Sequence, residues 1–64
     1  MCLSTVYLQT REQRQKVMQD VAKMQSSGDG YLLIGLLGDQ KTVAGRIAQI
    51  DFVDEHSVII EIET

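Results

Sequence analysis

The chain contains no proline and no tryptophan, and among its 64 residues stand a single cysteine, a single histidine and a single phenylalanine. A lone cysteine excludes a disulfide within the chain. No nucleophile–histidine–acid set has supporting context, and a chain this short leaves little room for a closed pocket, so it reads as a binding protein and not as an enzyme. Basic residues are also few: six Lys and Arg stand against nine Asp and Glu, for a net charge of -3. That balance is not the footprint of a nucleic-acid binder, which carries a basic face for phosphates. No apolar run approaches the roughly 20 residues that span a bilayer. Met1 to Leu8 lacks the basic start and apolar stretch of a signal peptide. One free thiol and no targeting segment predict a cytoplasmic protein without membrane contact. No repeat, linker or low-complexity stretch divides the sequence, so residues 1–64 are expected to form one domain.

A chain of this size buries only about 60% of its unfolded surface and is marginal alone. A disulfide, a metal or a partner chain usually makes up the deficit. With the disulfide excluded, a metal, an oligomer or both remain. The 44% hydrophobic content is rich for so small a monomer and points to a homodimer.

Leu3 to Leu8 is β-branched and aromatic, without a breaker, and reads as a strand beginning at Cys2. Gln9 to Gln15 suits a turn. In Lys16 to Gln25, Val17, Val21 and Met24 fall at helical spacing, and periodicity alone favours an amphipathic helix there. Ser26 to Gly30 is a breaker, with Gly28 and Gly30 flanking Asp29 for a tight reversal. It is not a phosphate loop, because no lysine and Ser/Thr follow it as such a loop requires. Tyr31 to Leu37 is almost wholly apolar and predicts a strand buried on both faces or packed on another subunit. Its interruption, Gly35, would permit a bulge or bend. Lys41 to Val53 carries Ile47, Ile50 and Phe52 among polar residues, and Val58, Ile60 and Ile62 alternate with Ile59, Glu61 and Glu63 as a half-wet strand.

Chemistry concentrates at Cys2. A thiol one residue from the chain start can chelate a metal together with the terminal amine and the intervening backbone nitrogen, because these donors close five-membered rings. A soft thiolate with nitrogens in one plane suits Ni(II) or Cu(II) better than hard cations. If Met1 is kept, its amine, the Cys2 amide and the Cys2 sulfur make a tridentate set. If it is removed, the Cys2 amine and sulfur bind first and the Leu3 amide can join. The bland alternative is a cysteine that merely packs as a small hydrophobe.

The other candidates favour bland readings. His56 lies in the polar run Asp54-Glu55-His56-Ser57 and reads as a solvated turn residue. Asp54, Glu55, Glu61 and Glu63 read as a diffuse acidic end. Met18 and Met24 could bind soft Cu(I) but fit core packing. Tyr7, Tyr31 and Phe52 could stack bases, but without a basic groove they read as core or interface.

Met-Cys-Leu at 1–3, Tyr-Leu at 7–8, Val-Ala-Gly at 43–45 and Ile-Asp-Phe-Val at 50–53 together resemble the CooT-type nickel-binding proteins. The resemblance spans the whole chain, and the terminal Met-Cys is its specific part. It implies an all-β fold, a small SH3-like β-barrel of about five strands, homodimeric, with Ni(2+) held by Cys2 and Met1 at the N-terminus across the dimer. It also implies a client, a nickel enzyme such as carbon monoxide dehydrogenase. A barrel of this kind has no room for a ten-residue helix, so the resemblance replaces the helix over Lys16 to Gln25 with strand bending near Gln19-Asp20. Strands are then expected near 2–8, 15–25, 31–37, 42–52 and 58–63. The alternative function is a small SH3-like interaction module binding RNA or protein, with Cys2 structural.

Overall fold

The structure is a computed structural model that describes residues 3–62. Over that range it holds six strands and no helix: β1 (Ser4–Gln9), β2 (Arg14–Ser27), β3 (Gly30–Gly35), β4 (Gln40–Ala44), β5 (Arg46–Asp51) and β6 (Ser57–Glu61). They form one sheet in the order β4-β3-β2-β1-β6-β5. Every pairing is antiparallel except β1 with β6, which run parallel.

The β2–β3 reversal follows from its glycines. Ser27 pairs with Gly30, leaving Gly28-Asp29 as a two-residue loop, and Gly28 takes φ 59. Such a loop needs positive φ, which glycine supplies without a steric cost. Gly30 answers a second demand, since a side chain there would run into the Val43 carbonyl of β4.

β2 is a single strand, not a helix, and its helical spacing has a physical cause. Its pairing with β1 slips twice, between Ser4↔Val21 and Val6↔Met18 and again before Tyr7↔Lys16. Its pairing with β3 slips once more between Val21 and Lys23. Each slip inserts an unpaired residue and flips the side-chain alternation. Val17, Met18, Val21 and Met24 thereby all reach the core, although a regular strand would split them between faces. Asp20, at φ 56, marks the bend expected near Gln19-Asp20.

The core cluster is Val6, Val21, Leu33, Val58 and Ile60, each less than a tenth exposed. Val6 pairs with Val58 across the parallel β1–β6 ladder, so the first and last strands meet at the centre of the core. Leu8, Tyr31 and Val43 pack around this cluster. β6 is buried along Ser57 to Ile60, more completely than its half-wet alternation predicts.

Two features of the expected barrel are corrected. Residues 42–52 are not one strand: Gly45, at φ 128, divides β4 from β5 and raises the count to six. Nor is the barrel closed, since β4 and β5 are the two edges of the sheet and do not pair with each other. Laid flat, these edges would lie about 24 Å apart at about 4.8 Å per strand. One residue bridges only about 7 Å, so the sheet must curl until its edges meet at the Gly45 corner. That corner is tied down by a hydrogen bond from the Gly45 amide to the Asp29 carbonyl at 3.2 Å. The apolar run after Gly30 also ends differently from its reading: Leu36 and Leu37 leave β3 in an exposed turn.

Candidate functional site

Cys2 and Met1, the sequence-predicted metal donors, lie outside the described residues. The structure instead defines the surface to which they are tethered. β1 begins at Ser4, with Val21 of β2 as its partner on one side. On the other side the Thr5 amide donates to the His56 carbonyl at 3.0 Å, and Thr5 stands opposite Ser57. Ser57 in turn stands opposite Asp51 of β5. The start of β1 therefore sits inside a cross-strand row that runs Val21, Ser4-Thr5, Ser57, Asp51.

On the β2 side of this row is a shallow pocket of about 120 Å³, lined by Ser4, Val6, Val21, Ala22, Lys23, Met24 and Val58. Its walls are polar and apolar in nearly equal measure, with Lys23 and Ser4 among the polar contributors. Cys2 precedes Ser4 by two positions in the sequence, with Leu3 alone between them.

On the β6 side the connection from Phe52 to His56 is held by Asp51. The Asp51 carboxylate accepts hydrogen bonds from the Val53 and Asp54 amides, both at 3.0 Å. These amides are the main reason its pKa is lowered below the usual carboxylate value, and the nearby His56 adds a smaller electrostatic contribution. The same turn displays Phe52 and Val53 to solvent at 75% and 80% exposure. Of the two readings of Phe52, core or interface, this exposure excludes the core. Ser57 is almost fully buried, and its hydroxyl donates to the Glu55 carboxylate at 3.4 Å.

The remaining candidates separate. His56 stands in the connection as expected but is half-buried and not fully solvated; it takes φ 49 and contributes its backbone carbonyl to β1. The acidic residues are not one cluster: Asp54 and Glu55 flank the start of β6, whereas Glu61 lies at its far end, 3.7 Å from Arg46. Met18 and Met24 pack against the core. Tyr31 does too, and Tyr7 lies under Arg14, whose guanidinium carbon is 5.9 Å from the ring centre. Among the described residues no three His, Cys, Asp or Glu side chains stand together as a metal cluster. Also among them, no helix is long and apolar enough to cross a membrane.

Sequence reasoning passed over Ser57, the pocket and the exposed turn. Asp51-Phe52-Val53-Asp54 did carry a signal, since an aspartate can cap the amides two and three residues onward. The pocket had no local signal, because β1, β2 and β6 build it from distant parts of the chain.

Fold and site together define a small all-β protein on one curled mixed sheet, with its candidate chemistry carried at the start of the first strand. The model of the family described as CO dehydrogenase accessory protein CooT matches residues 1–61, and the chain belongs to that family. In architecture it is similar to a crystal structure from Carboxydothermus hydrogenoformans assigned to CooT, with a TM-score of 0.86. That alignment covers 98% of this chain and 100% of the other at 22% identity. At that identity the likeness speaks for the fold. No curated protein matches the chain.

Proposed function

We propose that this chain is a cytoplasmic nickel carrier that acts in the maturation of a nickel enzyme, with carbon monoxide dehydrogenase as its client. Residues 1–64 form one metal-binding domain. Ni(II) is the cargo, and Cys2 supplies the thiolate with nitrogen from the terminal amine and the first backbone amides. The observation that carries this reading is that the family match begins at residue 1 and so includes Met1-Cys2. The short distance in sequence from Cys2 to β1, which starts at Ser4, is in keeping with this reading.

Donor arithmetic adds the homodimer. A planar Ni(II) site takes four donors, and one chain start provides two or three. Two chain starts meeting across a two-fold axis complete the plane with two sulfurs and two nitrogens. Amide ligation requires a strongly polarising ion, which favours nickel or copper over zinc.

The test is a nickel titration followed by thiolate-to-nickel charge-transfer absorption, together with the oligomeric mass and the nickel-to-chain ratio. The expected result is absorption in the native protein, none in Cys2→Ala, and one nickel for two chains. Unchanged absorption and affinity in Cys2→Ala would overturn the reading. An intact mass of the purified protein reports whether the terminal amine belongs to Met1 or Cys2.

A further inference from the structure

Charge is divided between the two ends of the β1, β6 and β5 strands. At one end Gln9 stands opposite both Arg14 and Glu61, and Glu61 stands opposite Arg46. Arg11 lies in the connection from β1 to β2 at that same end. At the other end Thr5, Ser57 and Asp51 are successive neighbours, and the chain leaves Asp51 into the connection from Phe52 to His56. That connection carries Asp54 and Glu55, both exposed, and no lysine or arginine. Its one potential cation, His56, is half-buried. Among the described residues the one ion pair is Arg46 with Glu61, so Asp51, Asp54 and Glu55 have no cationic side chain against them. Arg46 and Asp51 are the first and last residues of β5. They lie roughly 16 Å apart at about 3.3 Å per residue, about twice the screening length in physiological salt.

Two apolar side chains face solvent in this acidic setting. Among the described residues only Leu37 is a more exposed large apolar residue than Phe52 and Val53. The Asp51 carboxylate accepts from the Val53 and Asp54 amides, so the turn presents both side chains already ordered. A partner that covers them loses little further conformational freedom. An aromatic anchor inside a polar rim is where a protein contact concentrates its energy. The Leu36–Leu37 turn is the contrast. Asp39 and Lys41 follow it closely, one of each sign, so its surroundings select no partner by charge.

Charge decides what can cover Phe52 and Val53. A two-fold contact of this turn with its own copy would set Asp54 and Glu55 against Asp54 and Glu55, and like charges oppose association. The arginine end of a second copy is no better seat, because Glu12 and Glu61 stand among its cations. A different protein with an apolar groove rimmed by lysine and arginine meets both demands. The groove takes Phe52 and Val53, and the rim pairs with Asp54 and Glu55. Two side chains are a small part of the roughly 800 Å² that each side of a stable contact buries, which suits a carrier that docks and releases.

We propose that the Phe52–Val53 turn is the surface by which this chain docks on its client enzyme, in an apolar groove with a basic rim. The identity of the client rests on the carrier function proposed above. The chemistry of the groove rests on the turn alone.

The test is calorimetric titration of the metal-free chain onto purified, nickel-free carbon monoxide dehydrogenase at low and high salt. The native chain is compared with Phe52→Ser/Val53→Ser, Asp54→Lys/Glu55→Lys, Cys2→Ala and the control Leu36→Ser/Leu37→Ser, each checked for melting temperature and oligomeric mass. The native chain should bind, more weakly at high salt. Phe52→Ser/Val53→Ser should raise Kd roughly tenfold or more at both salt concentrations. Asp54→Lys/Glu55→Lys should raise it several-fold at low salt, with the difference shrinking at high salt. The Leu36/Leu37 control and Cys2→Ala should dock as the native chain does. Native affinity in either turn variant would overturn the proposal, as would a native chain that does not bind. A changed oligomeric mass in Phe52→Ser/Val53→Ser would assign the turn to a contact between copies and overturn it too. If the turn variants dock as well as the native chain, the client reading survives and only the surface is wrong. If Cys2→Ala keeps its nickel, the nickel reading is lost while the docking comparison still stands.

Discussion

Ala44 and Arg46 are separated by one residue and lie in the two opposite edge strands of the same sheet. Gly45 makes that possible. At φ 128 it occupies backbone space that side chains rarely enter, and a Cβ there would lie 2.6 Å from the Glu61 carbonyl oxygen and 2.8 Å from Ile60 Cγ2. Both constraints forbid a side chain at the corner. Gly45→Ala should cost roughly 2–4 kcal/mol, the backbone strain alone accounting for about 1–3 kcal/mol. Thermal denaturation should show a fall of ten degrees or more, at about 4–8 °C per kcal/mol. Gly28→Ala is the comparison, because Gly28 at φ 59 has open space around its missing Cβ. Equal melting temperatures for the two variants would refute this account of the corner.

Much of the strand layout was legible, and β2 shows where legibility stops. Alternation of apolar residues reports a strand only while the pairing is regular. In β2 three slips reset the alternation, so Val17, Val21 and Met24 acquire helical spacing on one face of a strand. The slips are set by β1 and β3, and the local sequence does not encode them. The break at Gly45 had a local cue in the glycine, but its consequence depends on β6, which is distant in sequence. At the site, Cys2 was legible because a terminal thiol has chemistry of its own. Exposure of Phe52 was legible only as one of two readings, core or interface, since an isolated apolar residue does not say which.

Asp20 gives a direct test of the bend in β2. It sits at φ 56 in the left-handed region, where aspartate is tolerated and glycine is unstrained. Asp20→Gly should leave stability within about 1 kcal/mol of native, in either direction. Asp20→Val should lose about 1–2 kcal/mol, because a β-branched side chain is strained there. Urea denaturation of both variants decides the matter; a Val variant as stable as the Gly variant would mean that the bend is not held at this residue.

The small core makes single truncations severe. Leu33 and Ile60 are both fully buried at 0% exposure. Truncating either to alanine should cost about 2–5 kcal/mol. Small domains hold about 5 kcal/mol at the low end of natural stabilities. Ile60→Ala should therefore be largely unfolded at 37 °C, visible as loss of the β-sheet circular-dichroism signal. Full retention of that signal with an unchanged melting temperature would contradict the core assignment.

Asp51 should make the exposed turn acid-sensitive. Its folded pKa is lowered below 3.8 by the Val53 and Asp54 amides. A lowered folded pKa means that the carboxylate favours the folded turn above the unfolded value. That contribution is lost as pH falls through the folded pKa. An NMR titration should show the Val53 and Asp54 amide resonances moving together with the Asp51 carboxyl below pH 4. Asp51→Ala should abolish that transition and loosen the turn. An Asp51 carboxyl titrating at or above the ordinary value would remove the capping account.

Nickel binding should have its own, separate pH dependence. The donors bind as thiolate, free amine and deprotonated amide, so each nickel bound must release protons. Affinity should consequently fall with pH well above the range in which Asp51 titrates, since an unperturbed thiol and terminal amine ionise near pH 8. Calorimetric titrations in buffers of different ionisation enthalpy count the protons directly. Because separated chains lack the full donor set, nickel should also raise the dimer's melting temperature by mass action. One tightly held nickel per chain in a monomer, or binding indifferent to pH between 6 and 9, would be incompatible with a shared thiolate site.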